Sequence, residues 1–65
     1  MYYRVYQALN NDGENFKEHG HFNDLEEAQQ YCKSHYNRNR KSTYIINYKT
    51  DDNKIAEQYY GQWTN

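Results

Sequence analysis

The chain has 65 residues, eight Lys or Arg against nine Asp or Glu, one cysteine, no proline and nine tyrosines. At that length residues 1–65 form a single domain, and such a domain buries only about 60% of the surface its unfolded chain exposes. A lone cysteine excludes an internal disulfide as a staple, and the absence of a long apolar run excludes a membrane span and a signal peptide, so a cytoplasmic protein that touches no membrane is expected.

Residues 2–9, YYRVYQAL, are dense in β-favouring side chains. They predict a strand with Tyr3, Val5 and Leu9 on one face and Tyr2, Arg4 and Tyr6 on the other. NNDGEN follows with the Asp-Gly signature of a turn. FKEHGHF then pairs back as the second strand of a hairpin, with Phe16, Gly20 and Phe22 alternating against Lys17, His19 and His21. Two histidines two apart in a strand project from one face, which is chelate spacing for zinc. The remaining imidazole and thiol, His35 and Cys32, fall in the next segment, with Cys32 on its core stripe, so solvent-facing histidines and no bound metal are expected.

NDLEEAQQYCKSHYN predicts a helix near residues 24–37. Asp24 is placed as N-cap, Glu27 completes the capping-box pattern, and Glu26 and Glu27 favour the positive end of the helix dipole. Leu25, Ala28, Cys32 and either His35 or Tyr36 form one narrow apolar stripe, enough to cover one sheet face. TYIINYKT predicts a third strand, with Tyr44, Ile46 and Tyr48 opposite Thr43, Ile45 and Asn47, and which set faces out stays open. After the DDNK turn, IAEQYYGQW predicts a fourth strand with Ile55, Tyr59 and Trp63 in phase and Tyr60 outward. The expected fold is α+β: a four-stranded, mainly antiparallel sheet in ββαββ order with one helix packed on one face.

The segment FNDLEEAQQYC, set between a hairpin and YIINYKTDDNKIAEQYYG, resembles small proteins of low-GC Gram-positive bacteria and their phages, in which an F-x-x-LEEA helix start sits between two hairpins. The resemblance implies the same hairpin-helix-hairpin fold and carries no activity or site residues with it. A chain rich in residues with A/T-rich codons agrees with such a source, or with a plasmid.

Charge is unevenly spread beneath a net of −1. Residues 1–32 sum to −4, residues 33–49 to +5 and the remainder to −2. Arg38, Arg40 and Lys41 precede a tyrosine-spaced strand, and with Arg4 they could track a phosphate backbone beside stacking rings. A near-neutral pI of 6.2 weighs against a dedicated nucleic-acid module, which is usually distinctly basic. Six aliphatics, Val5, Leu9, Leu25, Ile45, Ile46 and Ile55, make a thin core. Nine tyrosines must therefore line its rim or form a face completed by another chain. Rigid, amphipathic rings suit protein contact, so Tyr2, Tyr6, Tyr44, Tyr48 and Tyr60 are the candidate protein-binding residues. A homodimer or a heterologous protein partner is expected, with Asp24, Glu26 and Glu27 as an acidic patch suited to a basic target. A phage- or plasmid-borne accessory inhibitor is the concrete version, and a single-stranded nucleic-acid binder is the alternative. No nucleophile-base pair, paired carboxylates or glycine-rich phosphate loop is present, so neither catalysis nor a cofactor is expected.

Overall fold

A computed structural model describes residues 2–63. In chain order they form β1 (Tyr3–Ala8), a short 3-10 turn (Leu9–Asn11), β2 (Phe16–Phe22), α1 (Leu25–Arg38), β3 (Thr43–Lys49) and β4 (Ile55–Tyr60). The four strands make one antiparallel sheet in the order β2-β1-β3-β4, with α1 packed on one face. This is the α+β fold expected from the sequence.

β1 ends where Asn10 and Asn11 take positive φ, a conformation asparagine tolerates better than most residues. Leu9 is therefore lifted out of the strand and is 37% exposed, so it does not continue the face of Tyr3 and Val5 as alternation predicts. Asp12 then closes the turn by accepting from the Glu14 backbone N–H at 2.9 Å.

Between Val5 and Tyr6 the pairing with β2 slips by one residue: Val5 lies opposite Gly20, but Tyr6 lies opposite Glu18. The extra residue makes a β-bulge, and Gly20 at φ +108° supplies a backbone conformation that L side chains rarely adopt. A bulge reverses the alternation beyond it. Phe22 packs beneath the helix against Tyr31, at 5.2 Å between ring centroids, whereas Phe16 lies on the opposite face.

Asp24 caps α1 by accepting from the Glu26 backbone N–H at 3.0 Å. At the other end the Asn39 N–H donates to the carbonyls of His35 and Tyr36. Ala28 and Cys32 are fully buried against Val5, Tyr44 and Ile46, with Tyr3, Phe22, Leu25, Tyr31, Tyr36, Tyr48 and Tyr60 around them. The core is thus a small aliphatic centre with a rim of rings. Each buried polar side-chain atom among the described residues has a hydrogen-bond partner, as the cost of leaving one unpaired requires.

Gly61 turns the chain back after β4. A Cβ there would lie 2.5 Å from Thr43 Oγ1 and 2.8 Å from its Cα, and φ is +154°. The same Thr43 Oγ1 accepts from the Gln62 N–H at 3.2 Å and donates to Asn11 Oδ1 at 2.5 Å, tying the returning segment to the sheet. Gly61→Ala is therefore expected to lower stability by about 2 kcal/mol or more. Gly13→Ala, whose Cβ meets only Trp63 at 4.0 Å, should stay within about 0.5 kcal/mol of the parent. Urea denaturation of the two variants checks the pair.

Candidate functional site

The sheet has two different faces, and the strand registers assign every side chain to one of them. On the face away from the helix, one cross-strand row is His21, Arg4, Asn47 and Glu57. The next row is Glu18, Tyr6, Ile45 and Tyr59. Beyond the first row lie Tyr2, Lys49 and Ile55, and beyond the second lie Phe16, Ala8 and Thr43.

Of the five candidate tyrosines, Tyr2 and Tyr6 are on this helix-free face, and Tyr44, Tyr48 and Tyr60 are not. Tyr44 pairs with Gln7 and Tyr60, Tyr48 with Ala56, and all three rings pack around the core beneath α1. The outward set of β3 is Thr43, Ile45 and Asn47, and on β4 Tyr59, not Tyr60, points away from the helix. The reason is the phase of β1: Val5 must meet Ile46 under the helix, which turns Ile45 and its neighbours outward. Burial also holds the Tyr44 and Tyr60 hydroxyls above their usual pKa. Tyr48 sits at the sheet end, where it still borders the cleft described next.

One end of the helix-free face is a cleft of about 540 Å³ lined by Tyr2, Arg4, Tyr6, Asn47, Tyr48, Lys49, Thr50 and Ile55. It holds two cations and no acid. The Arg4 guanidinium lies 5.3 Å from the centre of the Tyr2 ring, within cation–π range. The Tyr2 hydroxyl in turn bonds His21 Nδ1 at 3.0 Å. The other end holds a second hollow, of about 420 Å³, lined by Tyr6, Phe16, Ile45, Asn47, Glu57, Tyr59 and Trp63. Trp63 comes back over the strands and lies 6.1 Å from the Phe16 ring on one side and 6.4 Å from Tyr59 on the other, both edge-on. Alternation alone misses Phe16 and Trp63 as parts of this face and leaves Ile45 undecided. Ile55, Tyr59 and Trp63 were in phase in the sequence, which was the signal, but an apolar phase is normally read as core.

The other candidates are dispersed. Arg38, Arg40 and Lys41 occupy the helix end and the loop into β3, with Arg40 stacked 5.3 Å from the Tyr36 ring. Five residues lie between Lys41 and Asn47, whose row contains Arg4, and the four strand steps from Thr43 to Asn47 alone span about 13 Å. The cations therefore form two groups rather than one track. Asp24, Glu26 and Glu27 are exposed at the helix start and border a shallow hollow with Phe22, Gln30 and Tyr31.

His19 and His21 are not on one face, because the bulge lies between them. His21 stacks on Tyr2, with ring centroids 4.2 Å apart. His19 turns under the helix, where Nε2 bonds Gln7 Oε1 at 2.8 Å and Nδ1 bonds the Tyr31 hydroxyl at 2.6 Å. Gln7 donates its own amide to Ser42 Oγ at 2.9 Å, so its oxygen can only accept. His19 Nε2 therefore carries the proton and Nδ1 accepts from Tyr31. Among the described residues no three His, Cys, Asp or Glu side chains are grouped to hold a metal. Burial pushes the Cys32 thiol up to about 12, leaving it an inert part of the core. No helix of the described residues is long and apolar enough to cross a membrane.

Compared with known proteins, the chain matches no family model, no curated sequence and no solved structure.

The His19 arrangement has a pH consequence. Burial first, then Lys17 and His35, hold its pKa below the usual 6.5. The unfolded chain consequently takes up the proton first, so the stabilising contribution is complete above about pH 6.5 and is lost as pH falls through and below that value. Chemical denaturation between pH 7.5 and 5 should show stability falling with acidification. His19→Gln, though less stable at pH 7.5, should show a shallower slope.

Proposed function

We propose that this protein is a small, non-enzymatic protein-binding module that works through the helix-free sheet face. The observation that carries the reading is the set of aromatic and aliphatic side chains left open there: Phe16 is 48% exposed, Tyr2 47% and Ile55 62%. Tyr6, Tyr59 and Trp63 are half-buried among them, and no helix or strand of the described residues covers the face. In a domain with so little aliphatic material, leaving this much apolar surface uncovered points to a partner that covers it. Arg4, Glu18, Glu57 and His21 interrupt the apolar area with polar groups of both signs, as in a protein interface rather than a phosphate groove. The partner is a protein, either a second copy of the chain or a heterologous surface. An inhibitor borne by a phage or plasmid, acting by occupying a host protein, is the concrete form of the second case.

Single-stranded nucleic acid is the alternative, favoured by the acid-free cleft that puts Arg4 and Lys49 beside Tyr2 and Tyr6. Salt separates the two, because phosphate contacts release counterions and lose affinity steeply as salt rises. The test is binding of wild type and variants to partner recovered from nuclease-treated lysate, and to the chain itself. Tyr6→Ala should weaken association by about 2 kcal/mol, a hot-spot loss. Replacing Arg38, Arg40 and Lys41 together by Ala should alter mainly on-rate and salt dependence, as remote charges do. If replacing Arg4 and Lys49 of the acid-free cleft together by Ala abolishes binding, with a steep loss of affinity as salt rises, while Tyr6→Ala barely matters, the protein-binding reading fails.

A further inference from the structure

The order of the strands decides which charges of the helix-free face lose water when the face is covered. β1 and β3 are central, and β2 and β4 are the edges. Arg4 stands on β1 and Lys49 on β3, so both lie under the middle of whatever covers the face. Glu18 and His21 on β2 and Glu57 on β4 stand at its margins. Arg4 pairs with Asn47, two residues before Lys49, which makes the two cations diagonal neighbours about 7–8 Å apart across the strand pair. Side chains of that length can bring both heads to one anion. Both are exposed, neither forms an ion pair with a described residue, and the lining of their cleft holds no acid. The Arg4 guanidinium is also positioned. It lies over the Tyr2 ring, which His21 fixes through the hydroxyl and by stacking, and a guanidinium held over a ring still has N–H donors for a carboxylate.

The second hollow adjoins this cleft across Tyr6 and Asn47, which line both, and it has the opposite character. Phe16, Ile45, Tyr59 and Trp63 surround it, with no cation and one acid, Glu57, which already accepts from the Tyr59 hydroxyl at 3.0 Å. We propose that the partner of this face is a different protein presenting an acidic-apolar segment, with an Asp or Glu carboxylate seated between Arg4 and Lys49 and a large apolar side chain in the adjoining hollow. This rests on the reading of the face as a protein-binding surface and names the chemistry of the partner. Covering the face takes Arg4 and Lys49 out of water, which is strongly unfavourable unless an opposite charge meets them. A second copy laid face to face does not supply that charge. Central strands then cover central strands, and on this face those strands carry Tyr2, Arg4, Tyr6, Ile45, Asn47 and Lys49 with no acid among them. A run of phosphates fits less well than one carboxylate, because a polyanion laid along the two hollows passes between Glu18 and Glu57.

Selection of displayed random peptides on wild type, on the Arg4→Glu, Lys49→Glu double variant and on Tyr6→Ala tests this, with folding of each variant checked by circular dichroism. Peptides enriched on wild type should share an Asp or Glu close to a large apolar residue, and the charge-reversed protein should enrich Lys or Arg at that place. In the best wild-type peptide, replacing the acid by its amide should weaken binding to wild type about tenfold or more. The same replacement should cost less than about twofold on the Arg4→Gln, Lys49→Gln double variant, where the pairing is already broken. Tyr6→Ala should weaken this peptide too. Enriched peptides that are lost with Tyr6→Ala but share no acid, or whose amide form binds both proteins as the parent peptide does, overturn the carboxylate site and leave the face itself standing. Peptides indifferent to Tyr6→Ala and to the charge changes bind elsewhere, which overturns the site and the assignment of the face together. Absence of enrichment over an unrelated control domain overturns the acidic-apolar segment. Tighter binding of oligothymidylate than of any acidic peptide, lost in the Arg4→Gln, Lys49→Gln variant, gives the cleft to nucleic acid. A wild-type dimer in sedimentation velocity that the same variant dissociates gives it to a second copy, and either result overturns the assignment to a different protein.

Discussion

One helix of 14 residues, about 21 Å long, has to shield a sheet of four strands, and it can lie on only one side. Everything else in the molecule follows from that shortage. The aliphatic side chains are concentrated where the helix reaches, with Val5 and Ile46 meeting Ala28 and Cys32 and nothing larger than Ile46 fully buried. The small residues at 28 and 32 let the helix approach closely, and the surrounding tyrosines extend the apolar contact outward while keeping hydroxyls within reach of partners, such as Tyr48 with Gln58 at 3.3 Å. On the other side the chain covers part of the sheet with its own returning segment. Ile45 is only 5% exposed although it faces away from the helix, because Tyr6, Tyr59 and Trp63 close around it.

The bulge in β2 resolves a second conflict. A regular strand would have placed His19 and His21 together on one face. One inserted residue instead sends His19 inward to bridge β1 and α1, joined to Gln7 and Tyr31 at once, and leaves His21 outward against Tyr2. Near this edge of the sheet the helix is held by polar and aromatic contacts more than by aliphatic ones: Tyr31 and His35 stack at 3.9 Å, and His19 lies edge-on to both. Hydrogen bonds of this kind add modest net stability but fix geometry. They set the angle at which a thin core is closed.

Much of the fold was legible because each signal had a local cause. Asp24 followed by Leu-Glu-Glu is a helix start whatever surrounds it, and the asparagine and aspartate clusters around residues 10–15 and 51–53 can hardly be other than turns. The faces were harder. In β3 Tyr44, Ile45 and Ile46 are consecutive, and in β4 Tyr59 and Tyr60 are adjacent, so alternation supplies two equally apolar phases and cannot choose between them. The choice is made by pairing across the sheet, Val5 opposite Ile46, a contact between residues 41 positions apart that no local pattern contains. The bulge then inverts β2 through a single glycine, and the return of Trp63 depends on a close approach of Gly61 to Thr43. For these reasons alternation leaves the outward set of β3 open, points Tyr60 rather than Tyr59 outward, and puts Phe16 on the same face as Phe22.

The edges of the sheet bear on where association can occur. An unprotected edge strand is a template for strand addition, and both edges here are blunted. β2 carries the bulge at its middle and an exposed Lys17 beside it. β4 has only six residues and is followed at once by a glycine that turns the chain away. The helix-free face has no comparable protection. Its rings and aliphatics are interrupted by Arg4, Glu18, His21 and Glu57, polar groups that penalise an arbitrary apolar contact, because each must be matched when it is desolvated. A surface that discourages indiscriminate burial yet exposes Phe16, Tyr2 and Ile55 favours one well-matched partner over many poor ones, and blunted edges direct that partner onto the face.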